Sequence, residues 1–229
     1  MVMDNMQRAM LEEIISKLNV DFWGNKNVTG MFIGPHYAGK KTMASAVAKA
    51  LSMGVAILDI PIVMSTGKYA AEYLTKLLKS IDHIKRLLIV DIPEKLNHRN
   101  SKSLFEPLLD KLMHFNGKVI FTTPYPLELN LELKFTHEIK PMDEKTRAQF
   151  WRSLLIEQGF TTQKTGNRNY SKLANLALMP GEIKQVLDIY MNTHSINGIN
   201  GIKVNEIKEI ANNLNITLLS KERSKEIMY

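Results

Sequence analysis

The feature that most constrains the fold is a glycine- and lysine-containing loop between an apolar segment and a helix-forming segment. Residues 34–42 read Gly-Pro-His-Tyr-Ala-Gly-Lys-Lys-Thr and fit the pattern G-x-x-x-x-G-K. The apolar triplet Met31–Ile33 precedes this loop, and an alanine-rich stretch without helix breakers follows it at 41–51. A strand, this loop and a helix in that order predict backbone N–H groups and a lysine arranged around phosphate oxygens.

Every residue of the loop is therefore a candidate for binding nucleotide phosphates: Gly34, Pro35, His36, Tyr37, Ala38, Gly39, Lys40, Lys41 and Thr42. In this pattern the residue after the first lysine is normally Ser or Thr, whose hydroxyl binds Mg²⁺. Here that residue is Lys41, and the Thr42 hydroxyl comes one position later. One step along a helix is a rotation of about 100°. We therefore expect weakened Mg²⁺ binding through Thr42.

The predicted secondary structure alternates strands and helices and then changes to helices alone. Continuous apolar runs at 55–58, 86–91 and 118–122 predict buried strands, typical of a parallel sheet covered on both faces. After Pro141 we predict only helices. The expected fold class is α/β, a parallel-sheet core of the phosphate-loop nucleoside triphosphatase (P-loop NTPase) type with a small C-terminal all-α lid. The expected domains are an N-terminal helix and linker at 1–30, the core at 31–141 and a helical part at 142–229.

An aspartate ends the most apolar predicted strand, where Leu87–Val90 lead into Asp91. This arrangement places a carboxylate beside the Mg²⁺ of phosphate-loop enzymes, so Asp91 is a candidate catalytic residue and, with Thr42, a candidate metal ligand. In many ATPases of this kind a glutamate comes next and activates the attacking water. Here Ile92 has that position, and its side chain cannot accept a proton. Glu94 is a candidate replacement, or else a solvated loop residue.

A further candidate lies at the end of the strand at 118–122. Ligands of open α/β sheets bind at the carboxyl edge of the strands. The Thr122 hydroxyl is therefore a candidate for contacting a γ-phosphate or the attacking water, although threonines at strand ends are also common without such a role.

Composition excludes several kinds of site. The 229 residues include no cysteine, which excludes disulfides, thiolate zinc sites and iron–sulfur clusters. No apolar run reaches the roughly 18–20 residues that span a bilayer, and the acidic residues near the N-terminus indicate an amphipathic helix. We expect a cytoplasmic protein without membrane insertion. The net charge of +7 permits nucleic acid as a partner.

Taken together, these motifs resemble those of the AAA+ ATPases over most of the chain. Gly34–Lys40 is similar to that family's Walker A motif, Leu87–Asp91 to Walker B and Val119–Thr123 to the sensor 1 strand. The C-terminal part resembles the family's helical lid at three places: its hinge at Pro141–Arg147, its sensor 2 region at Met179–Ile183 and its last helix at Val204–Leu214.

The resemblance implies ATP or ADP with Mg²⁺ held between core and lid, with Gly181 of the sensor 2 region in the site. It also implies homo- or hetero-oligomeric rings or spirals. Where the family usually has an arginine finger, this chain has Lys134, Phe135 and His137, while Arg99 and Arg147 lie elsewhere in the sequence. Lysine does not reproduce the planar guanidinium group.

Nucleotide binding needs fewer of these groups than hydrolysis does. We therefore expect an AAA+-like ATP- or ADP-binding protein with weak or absent hydrolysis, acting by nucleotide-dependent assembly or remodelling of a partner protein. One alternative is an active ATPase that needs a partner in trans, such as a clamp-loader or helicase-loader-like subunit in DNA replication. Another is a nucleotide-free scaffold on the same fold.

Overall fold

A computed structural model of the chain describes residues 5–20, 28–81, 85–92, 99–126, 133–159, 170–193, 202–214 and 216. The described residues form two compact units. The first contains Asn5–His36 and Lys40–Lys140, and the second contains Tyr37–Gly39 together with the segment from Pro141 onwards. The N-terminal helix and the sheet belong to the same unit.

The first unit is built on a five-stranded sheet in which every pair of neighbouring strands is parallel. The strand order is β2-β3-β4-β1-β5. Its elements are α1 (Asn5–Val20), β1 (Val28–Ile33), α2 (Lys40–Ala50), β2 (Gly54–Asp59), α3 (Ile60–Met64), a 3₁₀ turn (Gly67–Tyr69), α4 (Ala70–Ser80), β3 (Arg86–Asp91), α5 (Arg99–Met113), β4 (Lys118–Thr123) and β5 (Phe135–Glu138). The predicted α/β class with a parallel sheet is confirmed.

Strand β3 is apolar along its length because side chains pack on both of its faces. Its residues 87–90 are completely buried, and successive side chains of a strand point to opposite sides. Leu88 and Val90 join an apolar cluster that includes Leu74 of α4 and Leu108 of α5. A sheet packed on both faces leaves no exposed face for alternating polar residues, which accounts for the continuous apolar run.

Two elements of the first unit were not predicted from the sequence. Strand β5 pairs only with β1, at the edge of the sheet. Of its four residues only Phe135 is apolar and buried, and Thr136 and Glu138 are exposed. Helix α3 begins directly after β2, where the Asp59 carboxylate accepts the Ile62 N–H at 3.3 Å. Pro61 fits this first turn because its missing N–H has no partner to lose there.

The second unit is helical in its described residues and has its own apolar core around Trp151 and Tyr190. Its helices are α6 (Glu144–Glu157), α7 (Pro180–Thr193) and α8 (Val204–Asn213), with a short helical segment at 170–174. Helix α7 begins with a proline in its first position, and the Glu182 carboxylate accepts the Met179 N–H at 2.8 Å. Among the described residues, no helix combines the length and apolarity that crossing a membrane requires.

Arg147, near the start of α6, hydrogen-bonds main-chain carbonyls within the second unit. Its guanidinium donates to the Ala174 carbonyl and to the Met142 carbonyl, each at 2.6 Å. Burial lowers the pKa of Arg147. The same turn is capped by Asp143, whose carboxylate accepts the Thr146 N–H at 2.6 Å, and this bond lowers the pKa of Asp143. Arg147 is thus a structural residue of the helical unit.

We predict that Arg147→Lys lowers the free energy of unfolding by about 2 kcal/mol, because one ammonium cannot reach both carbonyls in the guanidinium geometry. Urea denaturation followed by circular dichroism measures this change. The matched control is Arg152→Lys on the exposed side of the same helix, which we expect to leave the midpoint unchanged. Equal midpoints for both variants would contradict the structural role of Arg147.

Candidate functional site

The candidate site lies where strands β1 and β4 end side by side. From β1 the chain crosses to β2 at one edge of the sheet, and from β4 it crosses to β5 at the other edge. The connections that follow β1 and β4 therefore run toward opposite edges of the sheet. The loops after these two neighbouring strands separate and leave a crevice at the carboxyl edge. Gly34 follows β1, and Asp91 ends β3 in register with Thr122 of β4. The topology therefore brings the three predicted motifs to one edge.

The phosphate loop has backbone conformations that favour glycine. Gly34 and Gly39 have φ angles of 153° and 98°, and Tyr37 has a φ of 61° at the tip of the loop. A Cβ on Gly34 would lie 2.4 Å from the carbonyl oxygen of Ile139, so no larger residue fits there. The Gly34 N–H donates to the Thr123 carbonyl at 3.1 Å, which attaches the start of the loop to β4.

Lys40 is the first residue of α2 and is almost completely buried, with 8% of its surface exposed. Its ammonium donates to the carbonyls of Gly34 and Pro35 at 2.6 and 2.7 Å. Burial lowers the pKa of Lys40 to about 8, with the Asp91 carboxylate opposing that shift and the Lys41 ammonium adding to it. The loop thus encloses a cation that is held by the loop's own carbonyls.

Lys41 and Asp91 form an ion pair that was not predicted from the sequence. The Lys41 ammonium lies 2.8 Å from one carboxylate oxygen of Asp91. The other oxygen accepts the Thr122 hydroxyl at 2.7 Å. Thr122 is completely buried, whereas about half of the Lys41 side chain is exposed. Thr122 therefore positions the Asp91 carboxylate, and both oxygens of that carboxylate have partners in the protein.

This arrangement does not fit a Mg²⁺ ion held by Thr42 and Asp91. An ammonium contacts the carboxylate that would bind the ion, and the Thr42 side chain is exposed to solvent. Mg²⁺ requires six oxygen ligands in nearly octahedral geometry. Across the described parts of the chain, no cluster of three or more His, Asp and Glu side chains is arranged to hold a metal ion.

Ile92 is part of the hydrophobic core. Its side chain is 2% exposed and belongs to the same apolar cluster as Phe105 and Phe121, and its N–H donates to the Thr122 carbonyl at 2.9 Å. The position that carries a water-activating glutamate in many phosphate-loop ATPases is thus filled by a packed apolar side chain. The predicted substitute, Glu94, lies outside the described residues.

The remaining predicted residues lie in different parts of the two units. In the second unit the Gly181 N–H donates to the Tyr37 carbonyl at 3.1 Å, and Gly181 lies against the Tyr37 side chain. His137 lies on β5 in the first unit with Nε2 at 3.9 Å from the Glu13 carboxylate of α1. Burial lowers the pKa of His137. Arg99 begins α5.

Solved structures with the same architecture cover nearly the whole chain. The structure of C. elegans PCH-2 aligns over 93% of this chain and 70% of its own, at 13% identity and a TM-score of 0.58. The FIGL-1 AAA domain aligns over 92% and 80%, at 19% identity and a TM-score of 0.61. Cdc6p from Pyrobaculum aerophilum aligns over 97% and 71%, at 11% identity and a TM-score of 0.60.

The chain has the AAA+ fold. No protein-family model and no curated protein sequence matches it. The AAA+ architecture predicted from the motifs is confirmed, and at these low identities the similarity shows the fold alone. Within the candidate site, the main feature that the sequence did not predict is the Lys41–Asp91 ion pair. In the sequence, Lys41 is visible as a lysine where a hydroxyl is expected, but nothing in the sequence indicates that Asp91 is its partner.

We predict that Gly34→Ala lowers the free energy of unfolding by about 3 kcal/mol, because the new methyl group meets the Ile139 carbonyl and the backbone conformation is strained. Thermal unfolding measures the effect. The control is Gly54→Ala on the exposed start of β2, where the nearest atoms lie 3.5 and 3.6 Å away. A change as small as that of the control would show that the loop accommodates a side chain at position 34.

Proposed function

We propose that this protein binds ATP or ADP at the loop of residues 34–42, hydrolyses the nucleotide weakly or not at all, and acts by nucleotide-dependent assembly with, or remodelling of, a partner protein. The observation that carries this proposal is the Lys40 ammonium enclosed by a glycine loop at the start of α2, on an AAA+ fold. A buried cation surrounded by loop backbone favours a polyanionic ligand.

The N-terminal end of α2 supports the same ligand class. Backbone N–H groups in the first turn of a helix lack partners within that helix and carry partial positive charge. Helix α2 has no acidic residue in its first turn, and its first two residues are both lysine. The two ammonium groups and the helix end attract phosphate oxygens, while Gly34 and Gly39 let the backbone approach them.

Weak hydrolysis is supported by the groups around the Asp91 carboxylate. Efficient hydrolysis requires a base or a polar group that orients the attacking water. Ile92 is packed in the core, and the Thr122 hydroxyl donates to Asp91. Neither side chain can take a proton from water. An active ATPase with the missing groups supplied by a partner remains the alternative, and stimulation of phosphate release by that partner distinguishes it.

The first test is isothermal titration calorimetry with ATP and ADP, with phosphate release followed in the same samples. We expect a saturable binding isotherm and little phosphate release. Lys40→Ala should weaken binding by about tenfold to a hundredfold, because a charge-assisted contact to phosphate is lost. Lys49→Ala, on the exposed end of the same helix, is the matched control and should bind as the wild type does.

Two results contradict this proposal in different ways. If neither nucleotide binds, the AAA+ fold serves as a nucleotide-free scaffold. If nucleotide binds and phosphate is released steadily without a partner, the site is a complete ATPase.

Binding should also depend on pH because the pKa of Lys40 is lowered to about 8. Above that pH the free protein has lost the proton that a bound phosphate favours, so binding must take a proton up. We expect the association constant to fall by up to about tenfold per pH unit above pH 8. Titrations at pH 7 and pH 9, each in two buffers of different ionisation enthalpy, measure the proton count. Equal counts at both pH values would contradict the role of Lys40.

The net charge of +7 permits one more specific role, which we keep as the alternative: a clamp-loader or helicase-loader-like subunit acting on DNA in replication. In that role the chain forms homo- or hetero-oligomers and contacts the phosphate backbone. Fluorescence anisotropy with duplex and single-stranded DNA tests this alternative. Its affinity should fall steeply with salt, because neutralised phosphates release counterions. A flat salt dependence, or no binding at low salt, contradicts it.

A further inference from the structure

The Lys41–Asp91 ion pair replaces the arrangement by which phosphate-loop sites hold a metal. Such a site combines a hydroxyl after the loop lysine, a strand-end carboxylate and Mg²⁺. Here the hydroxyl position holds Lys41, and its ammonium lies 2.8 Å from the carboxylate. One substitution therefore removes a metal ligand and adds a cation at the carboxylate.

Charge favours the same conclusion. Lys40, Lys41 and Asp91 together carry one positive charge without any metal. A Mg²⁺ ion at Asp91 would displace the Lys41 ammonium and then lie close to two ammonium groups. Repulsion between these charges opposes the metal. A nucleotide polyphosphate without metal carries two more negative charges than its Mg²⁺ complex, so two lysines attract the metal-free form more strongly.

Hydrogen bonding also suits an ammonium in this position. Lysine has three N–H donors, and in the described structure the Lys41 ammonium forms an ion pair with one Asp91 oxygen at 2.8 Å. About half of the Lys41 side chain is exposed, so its flexible stem lets the ammonium reach a phosphate oxygen while it stays near the carboxylate. Thr122 fixes the other oxygen of that carboxylate. Asp91 then serves to position Lys41.

We propose that the Lys41 ammonium takes the place of Mg²⁺ at Asp91, so that the site binds nucleoside di- and triphosphates free of metal. This inference rests on the nucleotide binding proposed above. It assigns Lys41 as a ligand-binding residue and Asp91 and Thr122 as positioning residues. Chelation of Mg²⁺ therefore leaves the affinity unchanged or increases it.

The test is calorimetric titration of the full chain with ATP and with ADP, once in excess Mg²⁺ and once in EDTA. We expect the wild type to bind at least as tightly in EDTA as in Mg²⁺. Lys41→Thr restores a hydroxyl at the usual position and removes the ammonium from Asp91. We expect this variant to bind best with Mg²⁺ and to lose about tenfold or more in affinity in EDTA. Lys49→Thr, exposed on the same helix, is the matched control.

The outcomes separate the two proposals. A wild type that needs Mg²⁺, with at least tenfold weaker binding in EDTA, overturns the metal-free inference and leaves nucleotide binding intact. A Lys41→Thr variant that matches the wild type in both buffers overturns the role of Lys41. Absence of wild-type binding in both buffers overturns the proposed function as well. The wild-type comparison does not require any variant to fold.

Discussion

The candidate site depends on the parallel pairing of β4 between β1 and β3. Main-chain hydrogen bonds at the ends of these strands fix the Gly34 N–H on Thr123 and the Ile92 N–H on Thr122, and the same register places Asp91 beside Thr122. A shift of one residue would turn every side chain of β3 to the opposite face and would remove Asp91 from its position beside Thr122. The register of the buried sheet therefore sets the positions of the polar groups at its edge.

Within that rigid frame the first turn of α2 is locally unfavourable. The positive end of a helix disfavours cations, yet Lys40 and Lys41 both lie there and no acidic residue of the helix offsets them. Each ammonium instead has its own partner from elsewhere: the Gly34 and Pro35 carbonyls for Lys40, and the Asp91 carboxylate for Lys41. A local conflict that other groups must compensate is typical of a functional site. The proposed polyanion binding would offset the charge of both lysines at this helix end.

The sequence predicts the strands of the sheet better than it predicts the side-chain contacts within the site. Strand β3 is predicted because a run of four apolar residues is typical of a strand buried on both faces. This signal does not depend on which strands lie beside it. Strand β5 is not predicted, because at a sheet edge the short, polar Phe135–Glu138 segment needs only β1 as a partner. The ion pair of Lys41 with Asp91 joins residues on different elements. Lys41 is recognisable in the sequence as a missing hydroxyl, but its partner follows only from the strand order that brings β3 close to α2.

The contacts of Lys40 connect the proposed ligand binding to the conformation of the loop. In the described structure its ammonium satisfies two carbonyls of the loop itself, and phosphate oxygens compete for the same three donors. Each charge-assisted hydrogen bond contributes about 1.5–3 kcal/mol, which is comparable to the free energies that separate protein conformations. A phosphate that accepts more than one N–H from Lys40 therefore displaces the carbonyl of Gly34 or Pro35. Under the proposed function, the loop would then differ between the ligand-free and ligand-bound protein without hydrolysis of the nucleotide. A packed Ile92 in place of a catalytic base is compatible with such a binding-dependent change.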